Sequence, residues 1–231
     1  MNIIGWLPLI DWLALGWFLL VWFGYVSFSR AASAKGLTLL AVTNRWRRAW
    51  MRQSTSRDPR MVDGIIIQSL SASPSFFASA TIIIIGGLLA LLGTTDKAVE
   101  VVREIPLAAA TSPLLFETKV ILLAVIFSFA FFRFTWAMRQ YTFAALVLGS
   151  MPPPADFAAG RADRESFVER GACLVALAAE TFNDGIRAYY FAFAAIAWFF
   201  SPVAFLVATA LVAGVLYARE VRSQVLDVLK E

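Results

Sequence analysis

"TKVILLAVIFSFAFFRFTWAMRQYTFAALVLG", residues 118–149, is an apolar run whose interior is broken only by Arg133 and Arg139. A helix needs about 20 apolar residues to cross a bilayer. This stretch is longer than that and contains no proline or turn signal to fold it back on itself. It therefore reads as a helix in which residues 118–132 sit in hydrocarbon and the remainder emerges as a buried or interfacial continuation. One such segment already places the chain among all-α membrane proteins.

The rest of the chain agrees. It is 60% hydrophobic, against about 45–50% in soluble domains, and the excess is gathered into runs. Spans are expected at residues 8–29, 65–92, 118–149, 180–200 and 203–218. That makes a bundle of about five membrane helices, with four as the alternative because the last two are short. Interfacial helices complete a single domain over 1–231. The first run carries Trp12, Trp17 and Trp22 and has no basic residue before it, so it lacks the charged start of a secretory signal. Pro74 is expected to kink or break the second run. Residues 94–117 read as a loop with a Thr111-Ser112-Pro113 stop. Pro152 to Pro154 interrupt the chain, a fresh helix is expected to start near Asp163, and Ser201-Pro202 turns it once more.

Orientation follows from the basic residues. Arg30, Lys35, Arg45, Arg47, Arg48, Arg52, Arg57 and Arg60 crowd the segment after the first run. Placing it in the cytoplasm puts all but Lys97, Arg103 and Lys119 of the 20 basic residues on that side. The N-terminus is then outside and the C-terminus inside. Within the basic segment, Leu39, Val42, Trp46, Ala49 and Trp50 fall on one helical face and Asn44, Arg45, Arg48 and Arg52 on the other. That pattern suits a helix lying in the interface with Arg45, Arg48 and Arg52 toward anionic lipid headgroups and Trp46 and Trp50 beneath. Its alternative is a solvated loop helix packing its tryptophans on the bundle.

What is absent also constrains function. There is no histidine and a single cysteine, Cys173. Histidine-ligated haem, zinc hydrolase chemistry, Ser-His-Asp catalysis and an intramolecular disulfide are thereby excluded. No cofactor, metal or nucleic-acid partner is expected, and no catalytic residue stands out.

Polar residues inside apolar helices are costly and default to a functional reading. Glu180, Asn183, Asp184 and Arg187 follow i, i+3, i+4, i+7 spacing and share one face. With Arg133 and Arg139 they form either a helix-bracing ion network or the polar lining of a pathway. Gln68, Ser71, Ser75 and Ser79 make a narrow stripe on the second helix, which suits close helix packing or a water-lined face.

Several stretches resemble the bacterial and plant membrane proteins grouped as domain of unknown function 599. "GIRAYYFAFAAIAWFFSPVAFLVATALVAGVLYAREV" is similar to that family's C-terminal pattern through Gly185, Arg187, Tyr190, Phe191, Trp198, Pro202 and Tyr217. "QSLSASPSFFASAT" matches through Gln68, Leu70, Ala78 and Ser79, "RRAWM" through Arg47, Arg48 and Trp50, and "MRQY" through Arg139. The resemblance implies a small multi-pass membrane protein and directs weight to Arg187, Arg139 and Gln68.

The expected function is an oligomeric bacterial inner-membrane protein that forms or serves a passage for an ion or polar solute. An accessory subunit of a larger membrane complex is the alternative. An enzyme acting on lipid headgroups ranks third. A cavity shared by Arg187, Gln68 and Arg139 would distinguish the first.

Overall fold

The computed structural model describes residues 8–104 and 112–230, without the side chains of 98 and 101–104. Among them the chain forms α1 (Leu9–Ala34), α2 (Leu39–Ser54), α3 (Met61–Leu92), α4 (Thr95–Glu104), α5 (Pro113–Gly149), α6 (Pro154–Ala158), α7 (Arg164–Ile196), α8 (Pro202–Val221) and α9 (Gln224–Lys230). The helix starts are written in local chemistry. Ser112, Asp163 and Ser201 each accept a hydrogen bond from a backbone N–H three residues on, at 3.2, 3.3 and 2.9 Å. Proline at the first helical position of α5 and α8 gives up no intrahelical bond. Gly36, at φ +75°, supplies the left-handed turn from α1 into α2.

Among the described residues four helices, α1, α3, α5 and the α8–α9 stretch, are long and apolar enough to cross a membrane. The fifth expected span, residues 180–200, lies on α7 and does not meet that measure, because it carries Glu180, Asp184 and Arg187. It can be polar because protein surrounds it. Asp184, Gly185, Arg187, Ala188, Phe191, Ala192, Ala194 and Ala195 are all buried, so few of its side chains would meet lipid whatever its depth.

Two local expectations are corrected and one is narrowed. The expected loop over 94–117 contains α4, whose Val99 packs against Phe116 and Val120 of α5; Thr111 lies outside the described residues. Pro74 does not break α3, which runs through it while the ring is buried. Partners on neighbouring helices can make good what a proline removes. On α2, Val42, Met51 and Ser54 are buried; of the expected apolar face only Val42 is among them, and Trp46 is exposed and donates to the Leu229 carbonyl of α9 at 3.2 Å.

The bundle has two storeys. α5 and α7 run about 55 and 50 Å at 1.5 Å per residue, well beyond a hydrocarbon core of about 30 Å. One storey is closed by Ala14, Phe18, Phe134, Phe191, Trp198 and Phe205. The other, around Met51, Tyr141, Leu148, Val168 and Val175, joins α2 to the C-terminal part of α5 and the N-terminal part of α7. The first storey has a polar level at each end. At one, Trp198 donates to Asp11 at 2.6 Å, and the ammonium of buried Lys119 lies 5.7 Å from the Trp198 ring. The other lies about 27 Å along α1, at Ser29.

The second storey is tied by Arg60. Its guanidinium donates to the carbonyls of Ser54, Met151 and Pro152 at 2.9, 3.0 and 2.6 Å. Those bonds hold the α2–α3 and α5–α6 connections together. Removing them takes the Arg60 donor from the Met151 and Pro152 carbonyls, at roughly 1–3 kcal/mol for a buried group left unsatisfied, while the Ser54 carbonyl keeps the Arg57 N–H. Arg60→Ala is expected to speed proteolysis of the 150–163 connection several-fold while leaving the helix content by circular dichroism unchanged.

Candidate functional site

The polar level at Ser29 is an ion network across four helices. Arg187 on α7 donates from Nε and Nη2 to the Glu220 carboxylate of α8 at 2.8 and 3.0 Å. It also donates to Ser29 Oγ of α1 at 2.7 Å and to Asp184, one turn earlier, at 2.9 Å. Ser29 in turn donates to Glu220 at 2.8 Å. The second oxygen of Asp184 takes Arg133 of α5 and lies 3.5 Å from Arg30 of α1. Arg187 is 3% exposed and Asp184 5%, so their charges depend on these partners rather than on water.

The other expected site residues scatter. Asn183 reaches the same region from α7. Glu180 is half-buried, and it forms no ion pair among the described residues. Arg139 is exposed and rests over Phe143, 5.7 Å from its ring. Gln68 and Ser79 are exposed and Ser71 and Ser75 half-buried, because α3 packs through Ile67, Pro74, Ala78 and Thr81. Gln68 and Ser71 border a shallow cleft with Tyr141 and Thr142, apart from Arg187. Arg187 lines the cavity between α2, α7 and α8, Gln68 lines the cleft at Tyr141, and Arg139 lines neither. Arg48 and Arg52 meet the carboxylate of Glu165 at 3.3 and 2.8 Å, and Arg48 also meets Glu169. These exposed pairs dock α2 on α7. Trp50 donates to Asp63 at 2.7 Å, and Arg57 pairs with the same carboxylate at 2.5 Å. Arg45 stays exposed.

Of the family-pattern residues, Gly185 is where α7 meets Phe134 of α5. A Cβ there would lie 2.5 Å from Phe134 Cε1. Trp198 closes the opposite polar level, Pro202 starts α8, and the Tyr190 hydroxyl accepts from Arg219 at 2.9 Å.

Beside the network, a half-enclosed cavity of about 180 Å³ opens between α2, α7 and α8. Thr38, Thr43, Arg47, Asn183, Arg187, Arg219 and Glu220 supply its polar lining. The charge balance is one-sided. Glu220, the acid in the lining, is already engaged by Arg187 and Ser29. Arg47 donates to Thr43 Oγ1 at 2.9 Å and Asn44 Oδ1 at 2.6 Å, both neutral. Arg219 bonds only the Tyr190 hydroxyl and covers its ring, 5.6 Å away. Neither has a carboxylate within ion-pair distance among the described residues. Burial pushes the Arg47 pKa down from its ordinary value, while nearby Tyr141 acts to raise it. The guanidinium nevertheless keeps its proton at neutral pH.

Sequence reading missed Ser29, Glu220, Arg30, Arg47 and Arg219 as partners. Glu220 stands in a charged end that reads as a solvated tail. A partial signal was available: Tyr217 and Glu220 are three residues apart and share a helical face with Ala213.

Among the described residues, an all-helical bundle with four potential membrane spans, its polar helix enclosed by the others, defines the structural class. The chain belongs to the family described as "Protein of unknown function, DUF599", which matches residues 13–225. No curated protein and no solved structure matches it.

Proposed function

We propose that this chain is a multi-pass protein of a bacterial inner membrane, with its N-terminus outside and the Arg187 level at the cytoplasmic face. There it binds a small anion in the α2–α7–α8 cavity, as the cytoplasmic station of a transport-related activity. The carrying observation is that Arg47 and Arg219 line a half-enclosed cavity without a carboxylate of their own. At about 180 Å³ the cavity is below the 300–1,000 Å³ usual for drug-sized ligands. That favours an inorganic or small carboxylate anion over a nucleotide.

The reading is of a gated site rather than an open pore. Beyond Ile186 and Leu216 of the cavity wall, the bundle is filled by Phe18, Phe191, Phe205 and Trp198, each fully buried. Any passage through one chain would require these helices to part.

Equilibrium binding of labelled phosphate, sulfate and succinate to detergent-purified protein tests the reading. One of them is expected to bind saturably, with affinity falling as salt rises. Arg47→Gln with Arg219→Gln should weaken that binding about 10-fold or more, equivalent to about 1.4 kcal/mol. Arg45→Gln, on the exposed side of α2, should leave it unchanged. Equal affinity in the double variant would end the assignment of the site.

A further inference from the structure

On the opposite side of the same ion network lies a second cavity, of about 340 Å³, between α1 and α5. Its walls are apolar: Leu19, Trp22 and Phe23 from α1, and Leu122, Val125 and Phe129 from α5. Trp22 stacks on the fully buried Phe191 of α7, with ring centroids 5.4 Å apart, so α7 closes the back. Leu19, Phe23, Val125 and Phe129 are themselves exposed, so the groove opens sideways, where hydrocarbon would surround a membrane-spanning bundle. One end is polar, formed by Arg30, Arg133 and Asp184.

Two features of that end are unusual. Asp184 is a single carboxylate shared by Arg30, Arg133 and Arg187. Glu220 relieves Arg187 from the far side, but Arg30 and Arg133 are left with one negative charge between them. In addition, Arg133 Nε is buried with no hydrogen-bond partner among the described residues. A donor left without an acceptor destabilises the fold, more so when charged, and an anionic oxygen at this end of the groove would give the guanidinium an acceptor. The groove thus has the chemistry of an amphiphile: an apolar slot running about 16 Å along both helices, from Leu19 to Arg30 and from Leu122 to Arg133, and a cationic end. At about 340 Å³ over that length, the slot suits one acyl chain rather than a helix about 10–12 Å across with its side chains.

We infer that the α1–α5 groove is a binding site for one anionic phospholipid of the surrounding bilayer. One acyl chain lies against Trp22 and Phe129, and the phosphodiester sits on Arg30 and Arg133. The site is separate from the cavity at Arg47 and Arg219, and it does not depend on the function proposed for that cavity.

The test uses full-length protein reconstituted in vesicles of phosphatidylcholine with 20–30% phosphatidylglycerol (about that range), extracted in mild detergent and weighed intact by native mass spectrometry. One phosphatidylglycerol per chain is expected to survive extraction, with phosphatidylcholine removed. Arg30→Gln/Arg133→Gln should reduce retention about 10-fold or more. Because Arg133 also contacts Asp184, Val125→Trp serves as a second variant. It fills the groove without touching the network, so it should abolish retention while the melting temperature in detergent stays near that of the parent. Arg47→Gln/Arg219→Gln should retain the lipid. Equal retention of phosphatidylcholine and phosphatidylglycerol, or undiminished phosphatidylglycerol in Val125→Trp, would overturn the assignment. So would a free fatty acid such as oleate displacing phosphatidylglycerol at equimolar concentration.

Discussion

Arg187→Ala is expected to lower the thermal midpoint of the detergent-solubilised protein by roughly 10 °C. The guanidinium bonds Glu220, Asp184 and Ser29 while being 3% exposed. Its removal leaves the Glu220 carboxylate without a cation, while Asp184 keeps Arg133 and Arg30. Breaking a buried pair by deleting one partner costs about 3–5 kcal/mol, and each kcal/mol moves the midpoint of a chain this size by about 2–4 °C. Arg187→Lys should recover only part of the loss, since an ammonium cannot reproduce the two-pronged contact with Glu220. Adding Glu220→Gln to Arg187→Ala should be less harmful than the two single losses added together, because the stranded charge is gone. A midpoint for Arg187→Ala within about 2 °C of the parent would mean that the network does not hold α1, α7 and α8 together.

Gly185→Leu is expected to disrupt the α5–α7 seam with comparable severity. Even a bare Cβ would stand 2.5, 2.8 and 2.9 Å from three atoms of the Phe134 ring. Phe134 is fully buried and packed against Phe77, Phe182 and Tyr189, so it has nowhere to move. Overpacking of this kind costs roughly 1–3 kcal/mol, occasionally more. Gly185→Ala should sit in that range and Gly185→Leu above it. Phe134→Leu in the Gly185→Ala background should restore part of the loss by making room. If Gly185→Ala proves neutral and Phe134→Leu alone destabilises, then the close approach is not what demands glycine.

Much of the architecture is visible in the chain because hydrocarbon imposes a simple rule: a spanning segment must satisfy its backbone internally and hide its polar groups. The runs ending near Ser29, Leu92 and Gly149 and the unbroken continuation past Arg133 follow from that rule, and the helix start at Asp163 follows from capping chemistry. α7 is the exception. Its polarity is tolerable only because α1, α3, α5 and α8 enclose it, and tertiary enclosure leaves no mark on a single helix.

The site divides in the same way. Helical spacing brings Asp184 and Arg187 together, and the resemblance to the family points to Arg187. The same spacing also includes Glu180, yet seven residues are about 10 Å along a helix axis, which takes Glu180 away from the level of Ser29 and Glu220. The partners that satisfy Arg187 come from α1 and α8, and pairing between helices distant in sequence has no local periodicity. Arg47 is hidden for a related reason. Trp46 and Trp50 look like the buried face of α2, but α2 turns Val42 and Met51 inward and carries Arg47 toward α7.

The most direct measurement is anomalous diffraction from crystals of the protein grown with selenate, a tetrahedral anion of the phosphate and sulfate class. A selenium peak is expected in the α2–α7–α8 cavity within hydrogen-bond distance of Arg47 and Arg219, and absent from crystals of the Arg47→Gln/Arg219→Gln variant. An ordered map with that cavity free of selenium, or with Arg47 and Arg219 closed onto carboxylates of the protein itself, would contradict an anion site there.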